Sequence, residues 1–165
     1  TWSTENVNSS PTLSKTVIHC SREYALKHRP AKNTALISIT TPGQEDIVFD
    51  HLNDYAGFYR ICFQDTIDPT NPDGPTLEVI DKLYSFICTC EVLFDHIVVH
   101  CEYGVSRSAA VALLAEAFGF TCLSRLKATE ANTLMIKRFE SLMWEDLPTG
   151  YVFKGIDVPK VDSLW

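Results

Sequence analysis

The chain has 165 residues, of which 45% are hydrophobic, and this is enough for one domain with a substantial buried core. Its net charge of −7 at pH 7 argues against a general nucleic-acid binder or a protein of anionic membrane surfaces, because both need a basic surface. No apolar run approaches the roughly 18 residues of a membrane span, and the first residues lack the basic and apolar regions of a signal peptide. We therefore expect a cytoplasmic protein with no nucleic-acid or membrane partner.

The cysteines are scattered and most of them lie in apolar runs: Cys20, Cys62, Cys88, Cys90, Cys101 and Cys122. This distribution is typical of reduced intracellular thiols rather than of a disulfide framework. No cluster of His and Cys has the paired Cys-x2-Cys spacing of a structural zinc site. The sequence therefore predicts neither a bound metal nor another cofactor.

The first elements are short. Residues 1–14 are polar and are predicted to form a flexible N-terminal arm ahead of one domain over 15–165. Residues 17–20 predict a first strand, and Ser21 is placed to cap a short helix over 21–28.

Two further apolar runs, 34–40 and 58–63, are rich in β-branched and aromatic residues and predict the second and third strands. Between them, residues 44–56 are ambiguous between a helix and an irregular segment. Residues 65–75 are dense in Pro, Gly, Asn and Asp and predict a loop. From residue 76 to about 94 the apolar residues recur at helical spacing, with one face formed by Leu77, Ile80, Leu83, Tyr84 and Ile87.

The next segment joins a strand, a polar loop and a helix without a gap. Residues 97–99 are β-branched, whereas 109–118 are rich in Ala and Leu. The loop between them contains Cys101 and, six residues later, Arg107. Main-chain N–H groups of such a loop converge at the N-terminus of the helix, where the dipole attracts an anion such as phosphate.

The same loop favours nucleophilic chemistry. The planar guanidinium of Arg107 can offer two parallel donors to phosphate oxygens, which a Lys cannot match. The helix N-terminus and the nearby cation favour the thiolate of Cys101, which is the reactive form. Gly104 can supply a positive φ or a close backbone approach, and the hydroxyls of Ser106 and Ser108 can orient the loop or the thiolate.

Gly119 and Phe120 predict the end of the helix that follows this loop. Residues 123–144 predict one or two more helices, with inward-facing side chains at Leu126, Leu134, Phe139 and Leu142. Taken together, the elements predict a single α/β domain with a central sheet of four or five strands, largely parallel and flanked by helices.

Residues 99–108, Val-His-Cys-Glu-Tyr-Gly-Val-Ser-Arg-Ser, resemble the signature of the cysteine-dependent protein tyrosine phosphatases. The form is that of the dual-specificity branch and its bacterial and viral relatives. The resemblance implies a metal-independent phosphate-monoester hydrolase with a cysteinyl-phosphate intermediate. It implies Cys101 as the nucleophile and Arg107 as a phosphate ligand, with substrate-binding residues Glu102, Tyr103, Gly104, Val105, Ser106 and Ser108. It also implies that His100 orders the loop.

Cleavage of a phosphate ester also needs a proton for the departing oxygen. The family takes this proton from an Asp at the end of a strand well before the nucleophile, and Asp65 has a similar position. Asp68 and Asp73 in the same loop are alternatives, and Asp65 would otherwise be a turn-forming Asp. The sequence departs from the family pattern in two places: Tyr103 stands where a small residue is commoner, and the loop of the acid is longer and richer in Pro.

The resemblance implies a phosphorylated protein as the substrate, with phosphotyrosine first and phosphoserine and phosphothreonine as additions. One alternative is a phosphatase of RNA 5′ ends, inositol phosphates or phospholipids, against which Glu102 and the acidic chain argue. A catalytically silent phosphobinding module is a second alternative, against which the intact Cys101 and Arg107 argue. Sulfur-transfer enzymes of the rhodanese type also use a cysteine loop, but without an upstream acid.

Overall fold

The computed structural model describes residues 15–124 and 130–143. Its strands are β1 Thr16–Cys20, β2 Thr34–Thr40, β3 Gly57–Cys62, β4 His96–His100 and β5 Thr121–Cys122. Its helices are α1 Arg22–Lys27, α2 Leu77–Leu93, α3 Arg107–Ala117 and α4 Thr133–Met143, with a short 3-10 turn at Leu52–Asp54. The predicted N-terminal arm lies outside the described residues.

Within the described residues, the strands form one sheet in the order β3-β2-β4-β1-β5, and every pairing is parallel. The predicted α/β class and the helix-flanked central sheet are confirmed. In the register, His100 at the end of β4 lies opposite Cys20 of β1 and Ser38 of β2. Because parallel strands end at the same edge of a sheet, the loop after β4 emerges between the ends of β1 and β2.

The sheet has a buried cluster on each face. Ile97 and Val99 of β4 point into the larger cluster, which α2, α3 and α4 cover, while Val98 points into a smaller cluster with Ala25 of α1. Every residue from Arg107 to Ala115 of α3 is buried. The start of α3 is therefore fixed by packing on its whole circumference, and this fixes the loop that leads into it.

Several predictions about individual elements are corrected. Leu77 is 67% exposed and Leu142 is 37% exposed, so neither faces the core as predicted. Leu77 is the first residue of α2, and the first buried residue of that helix is Ile80, three positions later. Residues 44–56 are irregular apart from the 3-10 turn, and β5 was not predicted because a strand of two residues has no pattern. Leu126 lies outside the described residues.

Candidate active site

The loop between β4 and α3 brings a thiol and a hydroxyl together. Cys101 is the first residue after β4 and is 3% exposed, and Ser108 lies in the first turn of α3. Cys101 Sγ and Ser108 Oγ are 3.1 Å apart, and either group can donate. When the sulfur is ionised, only the hydroxyl can donate in this contact.

The loop lies directly against the junction of β1 and α1. Gly104 has a φ of +82°, and a Cβ at this position would come within 2.5 Å of the Cys20 carbonyl carbon and 2.6 Å of Ser21 N. His19 Nδ1 donates to the Gly104 carbonyl at 2.7 Å, since a carbonyl oxygen can only accept. The Arg22 amide donates to the carbonyl of Glu102 at 3.1 Å. A glycine is therefore required at 104 both by its φ and by the close approach of β1.

His100, the last residue of β4, supports the loop that follows it. Its Nδ1 is 3.0 Å from the carbonyl oxygen of Cys101, so Nδ1 carries the hydrogen. Its Nε2 is 2.6 Å from Ser38 Oγ and accepts from that hydroxyl when the ring is neutral. Burial lowers the pKa of His100, which favours the neutral ring. This arrangement supports an orienting role for His100.

The guanidinium of Arg107 is 3% exposed and is held by neutral groups. Nη1 donates to the carbonyls of Phe63 at 2.5 Å and Thr40 at 3.3 Å, and Nη2 donates to Thr41 Oγ1 at 3.0 Å. Among the described residues no carboxylate forms a salt bridge with it, and its buried Nε has no hydrogen-bond partner.

The remaining donors of Arg107 suit an anion. Nη1 has two acceptors and Nη2 has one, whereas the buried Nε–H has none among the described residues and shares an edge of the guanidinium with an N–H of Nη2. Two N–H groups on one edge form the fork that binds two oxygens of a phosphate. A buried charge with only neutral partners is costly, and an oxyanion on this edge would offset that cost. Thr41, which sequence reasoning missed, fixes this orientation.

Asp65 is the acid that contacts the loop. Its Oδ1 accepts from Ser106 Oγ at 2.8 Å and from Asn132 Nδ2 at 2.7 Å. Asp68 is fully exposed, and its Oδ1 accepts from the amide and the hydroxyl of Thr70 within its own turn. These hydrogen bonds lower the pKa of Asp68, which makes it a poorer carrier of a proton at neutral pH.

Asp73, the third alternative, contributes its carbonyl oxygen, which accepts from the amide of Gln64 at 2.7 Å. Among the described residues, Asp65 is thus the one of the three aspartates that hydrogen-bonds to the signature loop through its side chain.

Asn132 was not predicted as a site residue. Its Nδ2 also donates to the carbonyl of Thr66 at 3.1 Å, its amide donates to the carbonyl of Ser106 at 3.1 Å, and its Oδ1 caps α4 by accepting from the amide of Met135 at 2.9 Å. An Asn ahead of a helical pattern is a recognisable N-cap signal. Its contact with Asp65, 67 residues earlier, has no signal in the sequence.

The other predicted binding residues have different surroundings. Tyr103, which stands where a small residue is commoner in the family, is 75% exposed. Glu102 Oε1 accepts from Gln44 Nε2 at 2.6 Å, and Gln44 Oε1 accepts from the amide of Thr41 at 3.0 Å. Val105 is half-buried. Glu102 therefore contacts the residues around Arg107 rather than solvent alone.

The described residues lack three further features. No three side chains of His, Cys, Asp or Glu are grouped as they would be around a metal ion. None of the cysteines forms a disulfide. In the same part of the chain, no helix combines the length and apolar character that crossing a membrane requires.

No family model matches the chain. A segment of 91 residues, 55% of the chain, is 31% identical to the dual specificity protein phosphatase PPS1 of Saccharomyces cerevisiae. The chain spans about a tenth of the length of that relative, since the match covers 10% of it. Over this segment the chain is thus similar to part of a dual specificity protein phosphatase.

Proposed function

We propose that the protein is a cysteine-dependent phosphatase that hydrolyses phosphotyrosine in proteins, with phosphoserine and phosphothreonine as additional substrates. One observation carries the proposal: a single loop holds a buried thiol at its start and a buried guanidinium at its end, and contacts Asp65. The similarity to a dual-specificity phosphatase supports the same reaction class. We also propose a cytoplasmic location, because the scattered cysteines of the sequence are typical of reduced intracellular thiols.

In the first step the thiolate of Cys101 attacks phosphorus and forms the S–P bond. The bond between phosphorus and the leaving oxygen breaks, and Asp65 gives its proton to that oxygen. The free edge of Arg107 and the loop amides hold the other phosphate oxygens, where negative charge concentrates in the transition state. Ser108 donates to the sulfur before the attack and again when the sulfur leaves.

In the second step Asp65, now a carboxylate, accepts a proton from water. The water oxygen attacks phosphorus, the S–P bond breaks, and the thiolate and inorganic phosphate are released. Each group returns to its starting protonation state, so the cycle needs neither a metal nor a redox cofactor.

The test is hydrolysis of 4-nitrophenyl phosphate and of a phosphotyrosine peptide, with and without EDTA. We expect turnover that the chelator does not abolish and that vanadate, a phosphate analogue, inhibits. Cys101→Ser is expected to reduce turnover to background, whereas the control Cys62→Ser, which alters an exposed cysteine, is expected to leave it unchanged. Turnover in Cys101→Ser, or its loss on chelation, would contradict the proposal.

The substrate class is tested with a panel of equal concentrations of phosphotyrosine, phosphoserine and phosphothreonine peptides, RNA with a 5′ phosphate, and inositol phosphates. We expect the highest kcat/KM for the phosphotyrosine peptide. A higher value for RNA or an inositol phosphate would retain the mechanism but overturn the protein substrate.

A further inference from the structure

Two donors from different parts of the chain bind the same oxygen of Asp65. Ser106 Oγ donates to Oδ1 at 2.8 Å, and Asn132 Nδ2 donates to Oδ1 at 2.7 Å. Ser106 and Asn132 are also bonded to each other, because the Asn132 amide donates to the Ser106 carbonyl at 3.1 Å. Three residues, from the β3–α2 loop, the signature loop and the start of α4, therefore form a closed ring of hydrogen bonds.

The hydroxyl of Ser106 has an unusual role for its position. Ser106 is the N-cap residue of α3, where a Ser side chain normally accepts from an amide of the first turn. Here its side chain makes no capping hydrogen bond and donates to Asp65 instead. The first turn of α3 thus lacks the capping hydrogen bond that Ser106 could provide, and the Ser106 hydroxyl binds the Asp65 carboxyl group instead.

The two donors to Oδ1 determine which oxygen of the Asp65 carboxyl group carries the proton. In a protonated carboxyl, the carbonyl oxygen is a good acceptor and the hydroxyl oxygen donates its hydrogen. Two donors at Oδ1 therefore keep Oδ1 as the carbonyl oxygen and direct the proton to Oδ2. Among the residues described, none forms a hydrogen bond with Oδ2. The same two donors also fit the ionised carboxylate, so they can remain in place through both steps of the reaction.

We infer that Ser106 is a positioning residue for the general acid: with Asn132 it holds Asp65 beside the phosphate loop and selects Oδ2 as the oxygen that gives and receives the proton. This inference rests on the proposed function, and it goes further by naming the group that couples the phosphate-binding loop to proton transfer. The proton passes from Oδ2 to the leaving oxygen, and the carboxylate then takes a proton from water at Oδ2.

The experiment compares two esters that differ in their need for an acid. The leaving group of 2,4-dinitrophenyl phosphate departs without a proton, whereas that of phenyl phosphate needs one. For each enzyme, kcat/KM is measured on both, because it covers only the steps up to the departure of the leaving group, and the value for 2,4-dinitrophenyl phosphate divided by that for phenyl phosphate reports proton donation. We expect Ser106→Ala to raise this ratio at least tenfold over the wild type, and Asp65→Asn to raise it more, by about 10²–10⁴-fold.

A double variant shows whether the effect passes through the acid. In the Asp65→Asn background, Ser106→Ala should change kcat/KM on phenyl phosphate less than twofold, because no proton remains to be positioned. Asn132→Ser is the second variant, since Ser preserves an N-cap for α4 but its side chain is too short to reach Asp65. Thr76→Ala, which removes the cap of α2, controls for the loss of a capping contact and should leave the ratio unchanged.

The possible results distinguish a failure of the proposed phosphatase function from a failure of the positioning role of Ser106. A wild-type protein that hydrolyses neither ester would overturn the proposed function and this inference with it. An active wild type in which Ser106→Ala lowers kcat/KM equally on both esters, or lowers kcat/KM on phenyl phosphate further in the Asp65→Asn background, would overturn the inference alone. A ratio that rises in both Ser106→Ala and Asn132→Ser, but not in Thr76→Ala, would support it.

Discussion

Arg107 Nη1 donates a hydrogen bond of 2.5 Å to the carbonyl oxygen of Phe63, two residues before Asp65. The residue expected to bind phosphate is thus tied to the chain segment that leads to the expected acid. Thr40 at the end of β2 accepts from the same nitrogen. The ends of two strands therefore orient the guanidinium, and no carboxylate is needed to do so among the described residues.

Arg107→Lys tests this orientation. A Lys has a single donor group and cannot satisfy Phe63, Thr40 and Thr41 while also offering two donors to phosphate. We expect kcat/KM on 4-nitrophenyl phosphate to fall by about 10²–10³-fold, by analogy with the loss of an oxyanion-binding group. The buried carbonyls also lose donors, which should lower the free energy of unfolding by about 1–3 kcal/mol. Urea unfolding measures the second effect.

The control for that substitution is Arg60→Lys. Arg60 forms a partly exposed salt bridge with Asp46 at 2.8 Å, and the change should leave the turnover within twofold of the wild type. Arg107→Lys with wild-type kcat/KM would contradict the proposed role.

Asp65→Asn and Asp68→Asn separate the two candidate acids. Asp65→Asn should lower kcat on phenyl phosphate by about 10²–10⁴-fold and remove the decline of the rate on the basic side of its pH profile, which reflects loss of the acidic proton. Asp68→Asn should change kcat less than threefold, since the hydrogen bonds from Thr70 hold the pKa of Asp68 below its usual range and keep it ionised. The reverse result would identify Asp68 as the acid.

Gly104→Ala tests the contact between the loop and β1. A Cβ would lie 2.5 Å from the Cys20 carbonyl carbon and would also occupy a positive φ. Gly43 is a matched control, because it has a φ of +93° and no atom within 4 Å of an added Cβ. We expect Gly43→Ala to cost only the φ penalty of about 1–2 kcal/mol and to remain active. Gly104→Ala should be less stable than Gly43→Ala and should lose most of its turnover, measured by thermal unfolding and kcat. Equal effects would show that the close approach does not matter.

The pH dependence of stability reports on His100. Burial lowers its pKa in the folded state below the ordinary value of 6.5, so between these two pKa values the unfolded chain binds more protons than the folded chain. The free energy of unfolding should therefore fall as the pH decreases through 6.5, by up to about 1.4 kcal/mol per pH unit for this one site. Above pH 7 this dependence should vanish.

His100→Asn should remove the contribution of His100 to the change in the free energy of unfolding with pH. The Asn amide can still donate to the carbonyl of Cys101. His28 is the necessary control, because burial lowers its pKa as well. His28→Asn should retain the contribution of His100. An unchanged slope in His100→Asn would mean that His100 does not titrate differently in the two states.

The strand, loop and helix around Cys101 could be predicted because their signals are local. The β-branched residues 97–99 and the Ala-rich run after Arg107 need no distant partner to indicate β4 and α3. The cap at Ser21, which accepts from the amide of Tyr24, was predicted for the same reason.

The residues that orient the site could not be predicted in this way. Thr41 contacts Arg107 across 66 positions and Asn132 contacts Asp65 across 67, and nothing in either neighbourhood indicates these partners. Helical periodicity identified the buried face of α2 but did not show where along the helix burial begins, and Leu77 at its first position is exposed. Local patterns thus determine elements, and the topology determines contacts between them.

The position of Asn132 has a consequence for biosynthesis. A nascent chain contains Asp65, Cys101 and Arg107 well before Asn132 is added, yet the structure holds Asp65 through that residue as well as through Ser106. A ribosome-bound chain that ends before α4 therefore contains all three of the proposed reacting groups but lacks one of the two donors to Asp65. Under the proposed mechanism, we expect the full rate only late in translation, after the start of α4 has left the exit tunnel.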